Sequence, residues 1–193
     1  MNRYSAIAAT IIVALLTSAC GPSFTIRSEQ DPNIDFASFR TFGWVSPNPM
    51  VSAITTRPVS PMMEGRIMDA IRTGLETQGY SFMDDVMEAD FAVAFTLGSR
   101  EQIRVSTYPA TFRGRSTWAR NSPAYRFDSG TRTEVRQTTR GTLAIDIFDV
   151  VSKSPVWHGS AETSITGSVR DNPDPIIAEA VQRILAEFGP QKP

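Results

Sequence analysis

The sequence predicts an α+β domain, with a mostly antiparallel sheet of about five strands and two helices packed on one face. Two observations carry this expectation. In two stretches, apolar residues recur every three to four positions, the spacing of one helix face. In several others they alternate with small or polar residues, the spacing of one sheet face, and a short polar turn joins the last two of these as antiparallel neighbours.

The first strand is expected at Phe24 to Ser28, before a turn at Asp31-Pro32-Asn33, where Pro presets its own backbone angle and Asn bonds its neighbouring backbone. Phe42 and Trp44 then share one face of a second strand, and Pro47, Pro49 and Pro58 bracket an irregular connection. Ser60-Pro61 opens the first helix, with Ser as cap and Pro at the first helical position, where its missing N–H costs nothing. Met63, Ile67, Ile71 and Leu75, with Met68 beside them, form its buried stripe, and Gly79 closes it with a left-handed backbone.

Phe91, Val93, Phe95 and Leu97 alternate with Ala92, Ala94 and Thr96, giving a third strand in which Gly98 is read as a bulge. Leu143, Ile145 and Ile147 mark a fourth strand. After a turn at Ser152-Lys153-Ser154, Val156 to Ile165 forms its antiparallel partner, with Trp157 on the buried face. Tyr108 to Thr131 has no period and reads as a long hairpin loop, a kind that is uncommon unless functional or mobile. The second helix starts at Asp174-Pro175, buries Ile177, Val181, Ile184, Leu185 and Phe188, and stops at Gly189-Pro190.

Ahead of this domain lies a leader. Arg3 supplies a basic start, Ala6 to Leu16 a short apolar run, and Leu15-Leu16-Thr17-Ser18-Ala19 leads into Cys20, the single cysteine of the chain. The run is shorter than the ~20 apolar residues that span a bilayer, so it reads as a cleaved signal. Small residues before a lone cysteine are the pattern of a bacterial lipoprotein signal, with one departure: Thr17 stands where Leu is usual. The expected division is residues 1–19 as signal, 20–23 as lipidated tether and 24–190 as one domain. Acylation at Cys20 accounts for an otherwise unpaired secreted thiol. Because Gly21 rather than Asp follows the cysteine, resemblance to sorted lipoproteins implies the outer membrane, facing the periplasm.

The chain has 19 basic and 20 acidic residues, so no global field points to nucleic acid. Locally the balance differs. Nine arginines fall between Arg100 and Arg140 against Glu101, Asp128 and Glu134. Within that segment Arg113, Arg115, Arg120 and Arg126 are interleaved with Tyr108, Phe112, Trp118, Tyr125 and Phe127. Guanidinium forks beside aromatic faces hold phosphate, carboxylate or sugar surfaces, so Arg113, Arg115, Arg120, Arg126, Trp118 and Tyr125 are the candidate binding residues. The partners this suggests are lipopolysaccharide, an envelope glycan or a periplasmic protein, besides the bilayer itself; a solvated loop is the plainer reading of the same residues.

Catalytic patterns are sparse. His158 is the one histidine and reads as a strand residue beside Trp157, which leaves no pair of imidazoles for zinc. Asp84, Asp85 and Glu88 form an acidic cluster that suits a solvated turn better than a carboxylate pair of glycosidase type. Gly98, Gly114, Gly130 and Gly141 are too far apart to cradle phosphate. No cofactor or metal is expected.

Four motifs stand in a fixed order: Asp-Phe-x-x-Phe-x-Thr-Phe-x-Trp at Asp35 to Trp44, Ala-Asp-Phe-x-Val at Ala89 to Val93, Gly-Thr-Leu-x-Ile-Asp at Gly141 to Asp146, and Pro-Val-Trp-x-Gly at Pro155 to Gly159. With the lipidated cysteine, this set resembles the DUF4136 family of bacterial lipoproteins over nearly the whole mature chain. The resemblance implies location and architecture and carries no activity with it. The function expected is that of a membrane-anchored envelope lipoprotein acting as a non-catalytic binding or scaffolding module. The alternative is a hydrolase of envelope material using acidic residues near Asp84 and Asp85.

The anchor is directly testable. Cys20→Ala is expected to abolish incorporation of a palmitate analogue and to release the protein from membranes; undiminished label on the Ala variant overturns the assignment.

Overall fold

The computed structural model describes residues 22–51, 60–109 and 131–189. A seven-stranded mixed sheet is built from β1 (Thr25–Gln30), β2 (Thr41–Trp44), β3 (Met50–Val51), β4 (Ser81–Phe82), β5 (Phe91–Pro109), β6 (Thr131–Asp149) and β7 (Pro155–Ile165). Its order is β1-β7-β6-β5-β2-β4, with β3 paired to β5. Three helices accompany it, α1 (Pro61–Thr77), α2 (Gly167–Asp171) and α3 (Asp174–Leu185).

The antiparallel half, β1-β7-β6-β5, agrees with expectation; β2 and β3 lie parallel to β5, and β4 parallel to β2. The two strands beyond the expected five, β3 and β4, are two residues long, too short for alternation to register. The third helix, α2, is a single five-residue turn without an apolar stripe.

Local chemistry sets the helix ends. The Ser60 hydroxyl accepts from the Met62 N–H at 3.3 Å, and Gly79 terminates α1 at φ +98°. The helices lie close together because Gly74 of α1 has no side chain: a Cβ there would stand 2.7 Å from Cδ1 of Leu185. Ile67, Ile71 and Leu75 of α1 and Val181, Ile184 and Leu185 of α3 pack on the sheet face formed by Phe91, Val93, Phe95, Leu143, Ile145, Ile147 and Trp157. Among the described residues every core side chain lies between Phe24 and Phe188, within residues 21–193.

The β5–β6 register runs unbroken from Phe91↔Asp149 to Pro109↔Thr131, so Gly98, opposite Thr142, is not a bulge. The irregularity sits in β7 instead. Ile147 faces Trp157 and Phe148 faces Pro155, leaving Val156 as an extra residue that lets two consecutive side chains, Val156 and Trp157, both bury. The Val156 carbonyl accepts from Asp31 N–H at 2.9 Å, tying the bulge to the turn after β1.

Several motif residues prove to be fittings of the fold. Asp35 accepts from the Ala37 N–H at 3.0 Å, capping a single 3-10 turn over Phe36–Ser38. Asp90 Oδ2 accepts from Arg40 N–H at 2.7 Å, Thr41 N–H at 2.8 Å and the Thr41 hydroxyl at 3.0 Å, fastening the start of β2 to the start of β5. Burial alone would raise the Asp90 carboxyl; these donors and the Arg40 charge outweigh it and hold the carboxyl below its usual range. The indole of Trp157 lies across Gly159, where a Cβ would stand only 2.1 Å from Cη2 and 2.7 Å from Cγ2 of Ile184.

Two outcomes follow from these fittings. Gly159→Ala is expected to cost at least the ~1–3 kcal/mol of an overpacked core, read as a lowered thermal midpoint. Asp90→Asn is expected to lose about 1–2 kcal/mol at pH 7. Because the folded-state carboxyl lies below its unfolded value of about 3.9, this stabilisation is complete above that pH and is lost as pH falls through the folded value. Wild type and Asp90→Asn should therefore converge in melting temperature as the pH falls below the ordinary carboxylate range; a gap that stays constant with pH contradicts the assignment.

Candidate functional site

Cys20 and the loop candidates Arg113, Arg115, Trp118, Arg120, Tyr125 and Arg126 lie outside the described residues. The other sequence candidates occupy ordinary structural positions. Asp85 accepts from the Met87 N–H at 2.9 Å and caps a single 3-10 turn, Val86–Glu88, while Asp84 and Glu88 are exposed on the same turn. His158 is exposed on the sheet face away from the helices, its Nδ1 2.7 Å from Oδ1 of Asp146 directly across the β6–β7 ladder. Among the described residues no three His, Cys, Asp or Glu side chains gather where they could hold a metal.

Two features remain with the character of sites. The first is an arm. β7 pairs with β6 only as far as Thr139, and β3 pairs with β5 only to Thr96, so Gln102–Pro109 and Thr131–Thr138 continue as a two-stranded ribbon. Eight residue pairs at about 3.3 Å each give it a length of roughly 26 Å. Strand alternation divides its surfaces. Arg100 faces Arg140 and Arg104 faces Arg136, placing four guanidinium groups on the face away from the helices. Glu162 bridges the inner pair, at 2.9 Å from Arg100 and 3.5 Å from Arg140, and Glu134 pairs with Arg136 at 2.6 Å. On the opposite face Ile103, Val105 and Val135 are each at least 60% exposed, with Val105 directly across from Val135.

The second feature is an apolar pocket of about 310 Å³ where the helices cover the root of this arm. Leu97, Gly141, Leu143, Ala161 and Ile165 of β5, β6 and β7 form its floor. Its walls come from Met63 and Ile67 of α1, Val169 and Arg170 of α2, and Ile176, Ile177 and Ala180 of α3, with Phe24 at the side. Gly141 shapes the floor: a Cβ there would stand 2.7 Å from Cδ1 of Ile165, so the bare glycine lets the isoleucine fold across the ladder. Sequence reasoning missed this pocket, because each of its apolar residues reads singly as core. The arm left a faint signal, since arginines four apart in a strand share one face.

The DUF4136 family profile, a domain of unknown function, matches residues 26–190. The chain belongs to the DUF4136 family. A DUF4136 protein of known structure from Bacteroides thetaiotaomicron is similar in fold, with a TM-score of 0.53 and 15% identity over 86% of this chain and 96% of the other. The PelC dodecamer from Paraburkholderia phytofirmans gives a TM-score of 0.49 at 9% identity, covering 88% of this chain and all of the other. Among curated proteins, none matches the chain in sequence.

Proposed function

We propose that this DUF4136 chain is a lipid-anchored lipoprotein of the outer membrane, facing the periplasm, that binds an anionic envelope partner without catalysing a reaction on it. The observation that carries the reading is the arm: paired arginines on one face, exposed apolar side chains on the other, and a net positive segment between its strands. Nine arginines against three carboxylates between residues 100 and 140 make this segment of the sequence cationic, while the rest of the chain is net acidic. Arginine suits this task because its planar fork meets phosphate and carboxylate in a bidentate manner. Arg113, Arg115, Arg120 and Arg126, with Trp118 and Tyr125, belong to the same net positive segment of sequence and are included in the proposed binding set. In the same proposal the anchor at Cys20, five residues before β1, would hold the start of β1 within about 17 Å of the bilayer surface. The turn-capping role of Asp85 gives the hydrolase alternative no support.

The test uses residues 21–193. Wild type is expected to associate at low salt with lipopolysaccharide, with isolated sacculi or with an acidic periplasmic protein in envelope extract, the three arms separating the partner types. Association should weaken at and above physiological salt, where exposed charges more than about 8 Å apart are largely screened. Arg104→Gln with Arg136→Gln, and separately the four loop arginines changed to Gln, should each weaken it while shifting stability by no more than about 0.5 kcal/mol, as for other exposed positions. No association in any arm at low salt, or undiminished association of both variants, overturns the proposal.

A further inference from the structure

The apolar pocket is chemically separate from the arm. It contains no carboxylate, and no charged or polar side chain of the described residues is buried in the core beneath it. Its lining is aliphatic apart from Phe24, Arg170 and the threonines Thr142 and Thr163, the latter donating its hydroxyl to the Ser23 carbonyl at 3.0 Å, which gives no platform for stacking a planar ring and no convergent set of donors for a sugar or nucleotide. One cation stands in the lining. Arg170 of α2 is exposed and has no carboxylate partner among the described residues, whereas Arg66 and Arg183 nearby are paired with Asp174 and Glu179. A volume of about 310 Å³ lies at the small end of ligand sites, suited to one chain rather than two.

We propose that this pocket binds a single long acyl chain carrying an anionic head, with the tail against Ile67, Leu143, Ile177 and Ala180 and the head at Arg170. Apolar walls supply the driving force by removing methylene groups from water, and the unpaired guanidinium supplies orientation. Phe24 places the pocket beside the start of the domain, four residues from Cys20, within about 14 Å of extended chain. That proximity to a source of acyl chains rests on the anchoring reading; the chemistry of the pocket does not.

The experiment titrates palmitate, hexadecanol and acetate into unacylated residues 21–193, followed by calorimetry and native mass spectrometry. Palmitate is expected to bind one to one and acetate not at all. Ala180→Leu, which fills the cavity from a helix position that accepts Leu readily, should weaken palmitate by about tenfold or more. Arg170→Gln, at an exposed position that leaves folding intact, should weaken palmitate several-fold and leave hexadecanol unchanged. Thermal melts of both variants identify any loss caused by misfolding, and Arg170→Gln keeps the test valid should Ala180→Leu not fold. Lack of one-to-one palmitate binding overturns the proposal, as does binding by folded Ala180→Leu equal to wild type. On the acylated full chain from membranes palmitate is expected to bind as before; loss of binding there means that the protein's own acyl chains, which are esters and an amide with no anionic head, fill the pocket, and overturns the assignment of the head to Arg170. Because the first titrations need no lipidation, they succeed or fail independently of Cys20.

Discussion

The antiparallel pairing of β5 with β6 is the constraint on which the remaining structure depends. Nineteen residue pairs run in one unbroken register, and the same ladder serves two environments. At one end Phe91, Val93 and Phe95 face Asp149, Ile147 and Ile145 beneath the helices. At the other, Arg104 and Val105 face Arg136 and Val135 in solvent. Because side chains alternate with period two, any one-residue slip would move the core set to the wrong face and the arginines to the helix side. The buried half, anchored by fully buried Phe91, Val93, Phe95, Ile145 and Ile147, therefore sets the register of the exposed half. A free two-stranded ribbon is marginally stable in water, so this arm depends on its continuity with the sheet. Its arginines also guard bare strand edges against pairing with other chains.

Other contacts serve this ladder. Asp90, one residue before β5, collects three donors from Arg40 and Thr41, so β2 joins the sheet where the long ladder begins. Phe39, Phe42, Tyr80 and Phe188 then gather around Phe91, with ring centroids 5.3–5.9 Å apart, closing the core at that end. On the far side of β6, Gly159 admits the Trp157 indole, and the Val156 bulge turns β7 so that it can meet both β6 and the turn after β1. Asp35, Asp90 and Gly159 are thus a cap, a clamp and a clearance around one pair of strands.

This explains which parts of the fold were legible in the sequence. Helices α1 and α3 announce themselves through Ile67-Ile71-Leu75 and Ile177-Val181-Ile184, with Ser60 and Gly79 as punctuation, because each buries a continuous stripe. The inner half of β5 and β6 shows alternation for the same reason. The outer half does not, since both of its faces meet water and its pattern mixes Arg, Thr, Gln and Val without a hydrophobic period. β3 and β4 are held by parallel pairing to β5 and β2, a tertiary cause with no local sequence trace. The arginine-rich character of residues 100–140 was legible, but the pairing of Arg100 with Arg140 and of Arg104 with Arg136 needed the register.

The pocket and the arm have a common origin in the mismatch between sheet and helix lengths. α1 and α3 cover β5 only from Phe91 to about Leu97, while the ladder continues to Pro109. Where a helix layer ends above a sheet that does not, the last apolar positions have floor but incomplete walls. Ile165 folds over Gly141 to fill part of that gap, and the short α2 brings Val169 across another part. What is left is the apolar space beside Phe24. A larger residue at position 141 would push Ile165 out of the floor and alter both the cavity and the base of the ribbon. Gly141 is therefore the position where the architecture of the arm and the capacity of the pocket are set by the same missing side chain.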